Sequence, residues 1–280
     1  MKSGVGSTNS QELRMTGDET EMFPSIEERI RIIAKVKRKL NVEQNGKLIY
    51  LTVSGSHLYG FPSKDSDVDY RGAFLTGTEN LLGLLRKPEE TVRIKPDIVL
   101  NELRKELQLA LASNCNVIER INAKPIYRVP EFTEMRRLVN NALSKDGLYR
   151  SYRGMASFNY KKFILGGRAT YKKYLYVFRG LMAGIYALET GKIQPNLVEL
   201  NKRFRIKPVD QLIKLKVEGI EEEPVSELID SGELDSIIGM LFDRIDEAYE
   251  KCRMPAKPSR EEIEEIDRFL RRLRIEKLGR

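Results

Sequence analysis

The chain has 280 residues, 41% of them hydrophobic and 32% charged, with 49 basic against 41 acidic side chains, a net charge of +8 and a pI near 9.3. That length fits one large domain or two modest ones, and no apolar run is long enough for a transmembrane helix. Two cysteines outside any CxxC pattern and a single histidine exclude a structural zinc site and most histidine-based acid–base schemes, leaving carboxylates and metal to carry any chemistry.

The first 22 residues, MKSGVGSTNSQELRMTGDETEM, contain no apolar core and read as a polar, mobile tail rather than a secretory signal. With so few cysteines, a reducing, cytoplasmic compartment is the simplest expectation. Ser25–Asn41 predicts a helix: Ser25 and Glu28 form a capping box after Pro24, and Ile26, Ile30, Ile33, Val36 and Leu40 recur at helical spacing. Asn45-Gly46 is a turn, and KLIYLTVSG is a β-run ending at Gly55. A second strand is expected from Asp67 to Leu75, then two short β-pieces broken at Pro96, then a helix from Glu102. Beyond Pro130 helical patterns dominate, over roughly 131–144, 149–165, 169–190, 196–203, 232–252 and 259–277, with an acidic loop around EGIEEEPVSE. The expected organisation is α+β: the tail over 1–22, a small mixed sheet domain over 23–128 and an α-helical domain over 129–280.

The stretch SGSHLYGFPSKDSDVDY carries the chemistry. Side chains alternate along a strand, so Asp67 and Asp69 point the same way. Two carboxylates on one face repel unless a cation sits between them, and Mg²⁺ is suited to one or two carboxylates plus substrate phosphates. The turn at Gly55-Ser56 supplies backbone N–H groups and a hydroxyl for those phosphates.

Gly55-Ser56, Gly60 and Ser66-Asp67-Val68-Asp69 resemble the signature of the polymerase-β-like nucleotidyltransferase superfamily. The blocks GSHLYGFPSKDSDVDYRGAF, ELRKELQLALASNCNVIERI and KKYLYVFRGLMAGIYALETGKI are similar to a predicted-nucleotidyltransferase family associated with RNA ligases and RNA repair. Two positions depart from that family, which often has Asn-Pro at Asn114-Cys115 and histidine at Tyr176. The resemblance implies a third acid on a neighbouring strand. Asp97 is the first choice for it and Glu102 the second, with Asp65 read as a turn residue and Glu119 as structural or catalytic. Asp67, Asp69 and Asp97 would then hold two Mg²⁺ ions, or Mn²⁺ in their place, about 4 Å apart. Gly55 and Ser56 would bind the nucleotide. His57 would either touch it or orient Ser56, or would pack against the short helix.

Between Gly147 and Leu188 there is no carboxylate, eight basic side chains and ten of the 22 Phe and Tyr residues. Lys172, Lys173 and Arg179 in the matched block are expected at a triphosphate, and Arg150, Arg153, Lys161 and Lys162 at nucleic acid, although aromatics at this spacing also pack a core. The C-terminal helix, capped by Ser259, reads as structural. The implied activity is metal-dependent transfer of an NMP from an NTP to an acceptor hydroxyl, an RNA 3′ end above all, with a functional link to an RNA ligase. The rivals are modification of protein or tRNA in the manner of a toxin, and a non-catalytic nucleic-acid-binding protein of the same fold.

Overall fold

A computed structural model of the chain describes residues 24–82, 84, 88–219 and 230–276. The expected tail, and the acidic loop beyond Gly219, lie outside the described residues. The Ser25 hydroxyl accepts the Glu28 amide at 3.2 Å and opens helix α1 (Ile26–Gln44), which buries Ile32, Val36 and Leu40. Ile26 and Ile30 are exposed, so the stripe read from the sequence holds only in the later turns.

Five strands follow: β1 (Lys47–Ser54), β2 (Asp69–Leu75), β3 (Thr91–Ile94), β4 (Ile98–Glu102) and β5 (Pro125–Arg128). They form one mixed sheet in the order β3-β4-β2-β1-β5, with β2 and β4 parallel and the other pairs antiparallel. β2 starts two residues later than expected, so Asp67 precedes the strand. β5 was not anticipated, because four residues led by a proline are too short to display an alternating pattern.

One face of the sheet packs on α1 through Val53, Tyr70, Phe74, Ile98 and Leu100. The other face, through Ile49, Tyr50, Ala73 and Leu75, joins a larger cluster that continues to Leu273. After β5 every described element is a helix. Those helices are α6 (Phe132–Asn141), α7 (Lys145–Asn159) running into a π-turn at Tyr160–Ile164, α8 (Tyr171–Thr190), α9 (Leu197–Phe204), α10 (Lys207–Val217), α11 (Ser231–Lys251) and α12 (Arg260–Glu276). Short helices α2 (Gly55–Tyr59) and α3 (Thr78–Leu82), with α4 (Leu103–Leu111) and α5 (Cys115–Asn122), connect the strands. Among the described residues no helix is long and apolar enough to cross a membrane.

α8 is buried on nearly every side and is the axis of the helical layer. α10 lies outside the helical patterns expected from the sequence, and it carries Pro208. That proline stands in the first turn, where a missing N–H costs nothing. Ser259 caps α12 as expected, and Glu262 returns the bond to the Ser259 amide. The helix buries Ile266, Phe269, Leu270 and Leu273 rather than standing free, and pairs Arg274 with Glu102 at 2.9 Å.

Two buried ion pairs brace this packing. Glu106, fully buried, takes the Arg120 guanidinium, the Tyr50 hydroxyl and the Asn101 amide. Glu119, also fully buried, takes Arg179 from α8, with both carboxylate oxygens at 2.8 Å. Burial alone would push the Arg179 value down, but the Glu119 carboxylate outweighs it and leaves that value above the ordinary arginine range. Each charge is therefore compensated where water cannot reach it.

Candidate active site

β1 ends at Ser54, which pairs with Asp69 at the start of β2. The chain can turn away there only because Gly55 adopts a positive φ of 66°. A Cβ at Gly55 would overlap the Asp69 carboxylate, so backbone and acid are in direct apposition. Gly55→Ala should therefore cost at least the ~1–2 kcal/mol of a left-handed residue with a side chain, and urea denaturation should read it. An unchanged midpoint would mean that the turn relaxes without strain.

The parallel register of Tyr70 with Ile98 sets Asp97 beside Asp69, and the Tyr70 amide donates to the Asp97 carbonyl at 2.9 Å. Arg71, two residues along β2 from Asp69 and on the same face, donates to Asp69 Oδ1 at 2.8 Å and to the Asp97 carbonyl at 2.8 Å. Asp67 and Asp69 face one pocket of about 280 Å³, lined also by Ser56, Asp65, Ser66, Asp97, Lys172, Tyr176 and Lys216. Four carboxylates and two lysines thus converge at the seam between the sheet and the helices.

The helices hold the far wall in place. Tyr176 of α8 meets Tyr59 and Phe61 edge-on, at 5.9 and 6.0 Å between ring centres. Gly60, at φ 84°, lets that turn close onto Asn196, the N-cap of α9. Lys216 of α10 is 1% exposed and its Nζ reaches the Ser63 and Ser66 hydroxyls at 3.2 and 3.3 Å. Those two serines are bonded to each other at 2.8 Å and tie the loop that leads into Asp67.

His57 lies in α2, half-buried, with its Nδ1 unpaired among the described residues. Burial lowers its value below the usual 6.5; Asp69 opposes this and Lys216 adds to it. The unfolded chain therefore takes up a proton first as pH falls. The stability contributed by neutral His57 is complete above about pH 6.5 and is lost as pH drops through the lower folded value. As the chain has no other histidine, His57→Asn should flatten that limb of the stability–pH profile, and an unaltered profile would remove His57 as its cause.

Several expected residues lie elsewhere. Arg179, expected at the triphosphate, is 1% exposed, locked to Glu119 and stacked 3.8 Å over Tyr59. It stands two turns along α8 from Lys172, on nearly the same face but deep enough in the helical layer to meet Glu119 of α5, and that reading is corrected. Lys172 lines the pocket, whereas Lys173 lies over the Phe163 ring at 4.1 Å and is absent from the pocket wall. Arg153, expected at nucleic acid, is partly exposed and binds both oxygens of Asp246 on α11, at 2.6 and 2.9 Å. The acid that balances it comes from outside the carboxylate-free segment. Arg150, Lys161 and Lys162 are exposed, with Lys162 over the Phe158 ring. Glu102 caps α4 through the Arg104 amide at 2.7 Å, and Glu119 is wholly structural.

Among the described residues no three carboxylate, thiol or imidazole groups stand close enough to share one ion. Asp67, Asp69 and Asp97 line one pocket without forming a closed three-acid cluster, and Arg71 holds one oxygen of Asp69. Lys216, Tyr176 and Ser66 were not assigned to the site from the sequence. A signal for Lys216 existed, since Val209, Leu212 and Lys216 fall on one helical face.

Residues 27–272 match the family described as RlaP: RNA repair pathway DNA polymerase beta family. A protein of Bacillus subtilis (strain 168), named Uncharacterized protein YcgL, is 33% identical over 172 residues, which cover 59% of this chain and 65% of that protein. The match thus spans a little under two thirds of the length of that relative. A nucleotidyltransferase-like protein from Exiguobacterium sibiricum 255-15 aligns over 81% of this chain and 75% of its own, at 12% identity and a TM-score of 0.30.

Proposed function

The chain belongs to the RlaP family, the RNA repair pathway DNA polymerase beta family, and from that premise we propose that it is a metal-dependent nucleotidyltransferase that joins an NMP from an NTP to the 3′ hydroxyl of an RNA. The observation that carries the proposal is the convergence of Ser56, Asp67, Asp69, Asp97, Lys172 and Lys216 on one pocket beside the Gly55 turn.

The donors there are all oxygen, which fits a hard divalent cation such as Mg²⁺ and excludes a thiolate-loving metal. Asp67 and Asp69 would hold it, with substrate phosphates completing the shell and Asp97 alongside. When bound, such an ion neutralises phosphate charge and polarises the phosphoryl oxygens. The protein groups do the rest. Ser56 and the backbone of its turn orient the phosphates, and Lys172 and Lys216 face the charge that builds on the departing pyrophosphate. The acceptor oxygen bonds to the α-phosphorus as the bond to the bridging oxygen breaks. Pyrophosphate leaves with that electron pair, and the hydroxyl proton passes to Asp97 and on to solvent.

The test is a panel of labelled NTPs incubated with a pool of RNA ends, with tRNA and with protein, in Mg²⁺ and in EDTA. Label should enter RNA in Mg²⁺ and not in EDTA. Label in protein instead would replace the acceptor, and no metal-dependent label anywhere would overturn the reaction.

A further inference from the structure

Asp67 and Asp97 have a cavity on each side. On one side is the pocket of about 280 Å³ with Ser56, Lys172 and Lys216. On the other is a larger one of about 420 Å³ against α1, walled by Arg31, Lys35, Tyr70 and Pro96. Asp67 and Asp97 are the residues that line both.

We propose that this second pocket receives the 3′-terminal nucleotide of the RNA acceptor, and that Arg31 and Lys35 hold the phosphates of the strand behind it; the inference rests on the transfer reaction proposed above. In-line displacement requires the acceptor hydroxyl to approach the α-phosphate opposite the leaving pyrophosphate. Two cavities divided by a partition of reactive acids meet that requirement: the nucleotide occupies one, the acceptor enters from the other, and Asp97 is within both to take the proton.

The pocket wall carries three carboxylates, Glu28, Asp67 and Asp97, and the two cations that can meet phosphates, Arg31 and Lys35, both stand on α1. Arg31 and Lys35 are four residues apart, hence on one helical face, and both are exposed. Lys35 Nζ donates to the Lys95 carbonyl at 2.6 Å, which holds the ammonium at the pocket rim. The Glu28 carboxylate in the same wall accepts the Tyr70 hydroxyl at 3.1 Å. A pocket of this volume is within the range of sites for one small ligand, which suits a terminal nucleotide rather than a duplex.

The experiment uses the full chain and a short 5′-labelled single-stranded RNA, with anisotropy read over a salt series and binding of a fluorescent NTP analogue measured alongside. The variants are Arg31→Glu/Lys35→Glu, the milder Arg31→Ala/Lys35→Ala, and Arg260→Glu/Arg268→Glu on α12 as an equal change of charge elsewhere. In the α1 variants RNA affinity should fall about tenfold or more, and the slope of log K against log salt should become shallower by about 1.4, the value for two phosphate contacts on a single strand. Nucleotide affinity and thermal midpoint should stay constant, and the α12 variant should keep its RNA affinity. Equal losses in the α1 and α12 variants, a parallel loss of nucleotide binding, or undiminished RNA binding would each overturn the assignment. Wild-type transfer to RNA that persists equally in the α1 variants removes this pocket and leaves the reaction standing. Failure of the wild type to label any RNA removes the reaction itself.

Discussion

Asp67→Ala/Asp69→Ala abolishes NMP transfer, by at least ~10³-fold, and leaves the protein as stable as before or slightly more so. The rate loss follows from removing the charge that positions and neutralises the phosphates, the kind of term that dominates displacement at phosphorus. The stability expectation follows from the same geometry. Asp67 is exposed, and Asp69 is half-buried with one salt bridge to Arg71. Such a pair is worth roughly 0–1 kcal/mol, and four aspartates lining one pocket repel one another. Removing two of them relieves strain kept for function. The measurement is incorporation of labelled NTP beside a thermal melt. Retained incorporation by the folded double variant defeats the reading of this pocket as the reaction centre.

Arg179→Ala destabilises the fold by about 3–5 kcal/mol, the range for removing one partner of a buried ion pair. The substitution leaves Glu119, fully buried, without its counter-charge and strips the guanidinium from the Tyr59 ring. Tyr59 belongs to the turn that carries Gly55 and packs on Tyr176, so loosening is expected to reach the pocket through that stack. Replacing both charges at once, as Glu119→Leu/Arg179→Met, should recover most of the stability because no isolated charge remains. Urea denaturation of the three proteins decides it. An Arg179→Ala variant with an unchanged midpoint and a raised KM for NTP would return Arg179 to the nucleotide.

The expectations that succeeded depend on short-range pattern. β1 and α1 stand where a β-run ending at Gly55 and a capping box at Ser25 predicted them, and the break at Pro96 separates β3 from β4. The Gly-Ser turn and the aspartates are close in the chain, so a single strand crossing brings Ser54 against Asp69. What the sequence left open concerns residues whose partners are remote. Arg179 looked free because its own segment has no carboxylate, yet Glu119 lies 60 positions away. Arg153 finds Asp246 at 93 positions, and Lys216 reaches Ser63 at 153.

By itself the amino-acid order determined the mixed sheet, the helical remainder and an oxygen-rich centre built around Asp67 and Asp69, because hydrophobic period, turn chemistry and paired acids are local properties of a chain. Only the tertiary structure decided which cations face that centre and which are spent in the core, and that the acids form a wall between two cavities. Whether a lysine or arginine meets substrate depends on the helix packed beside it, and burying a charge demands a partner that no window of sequence contains.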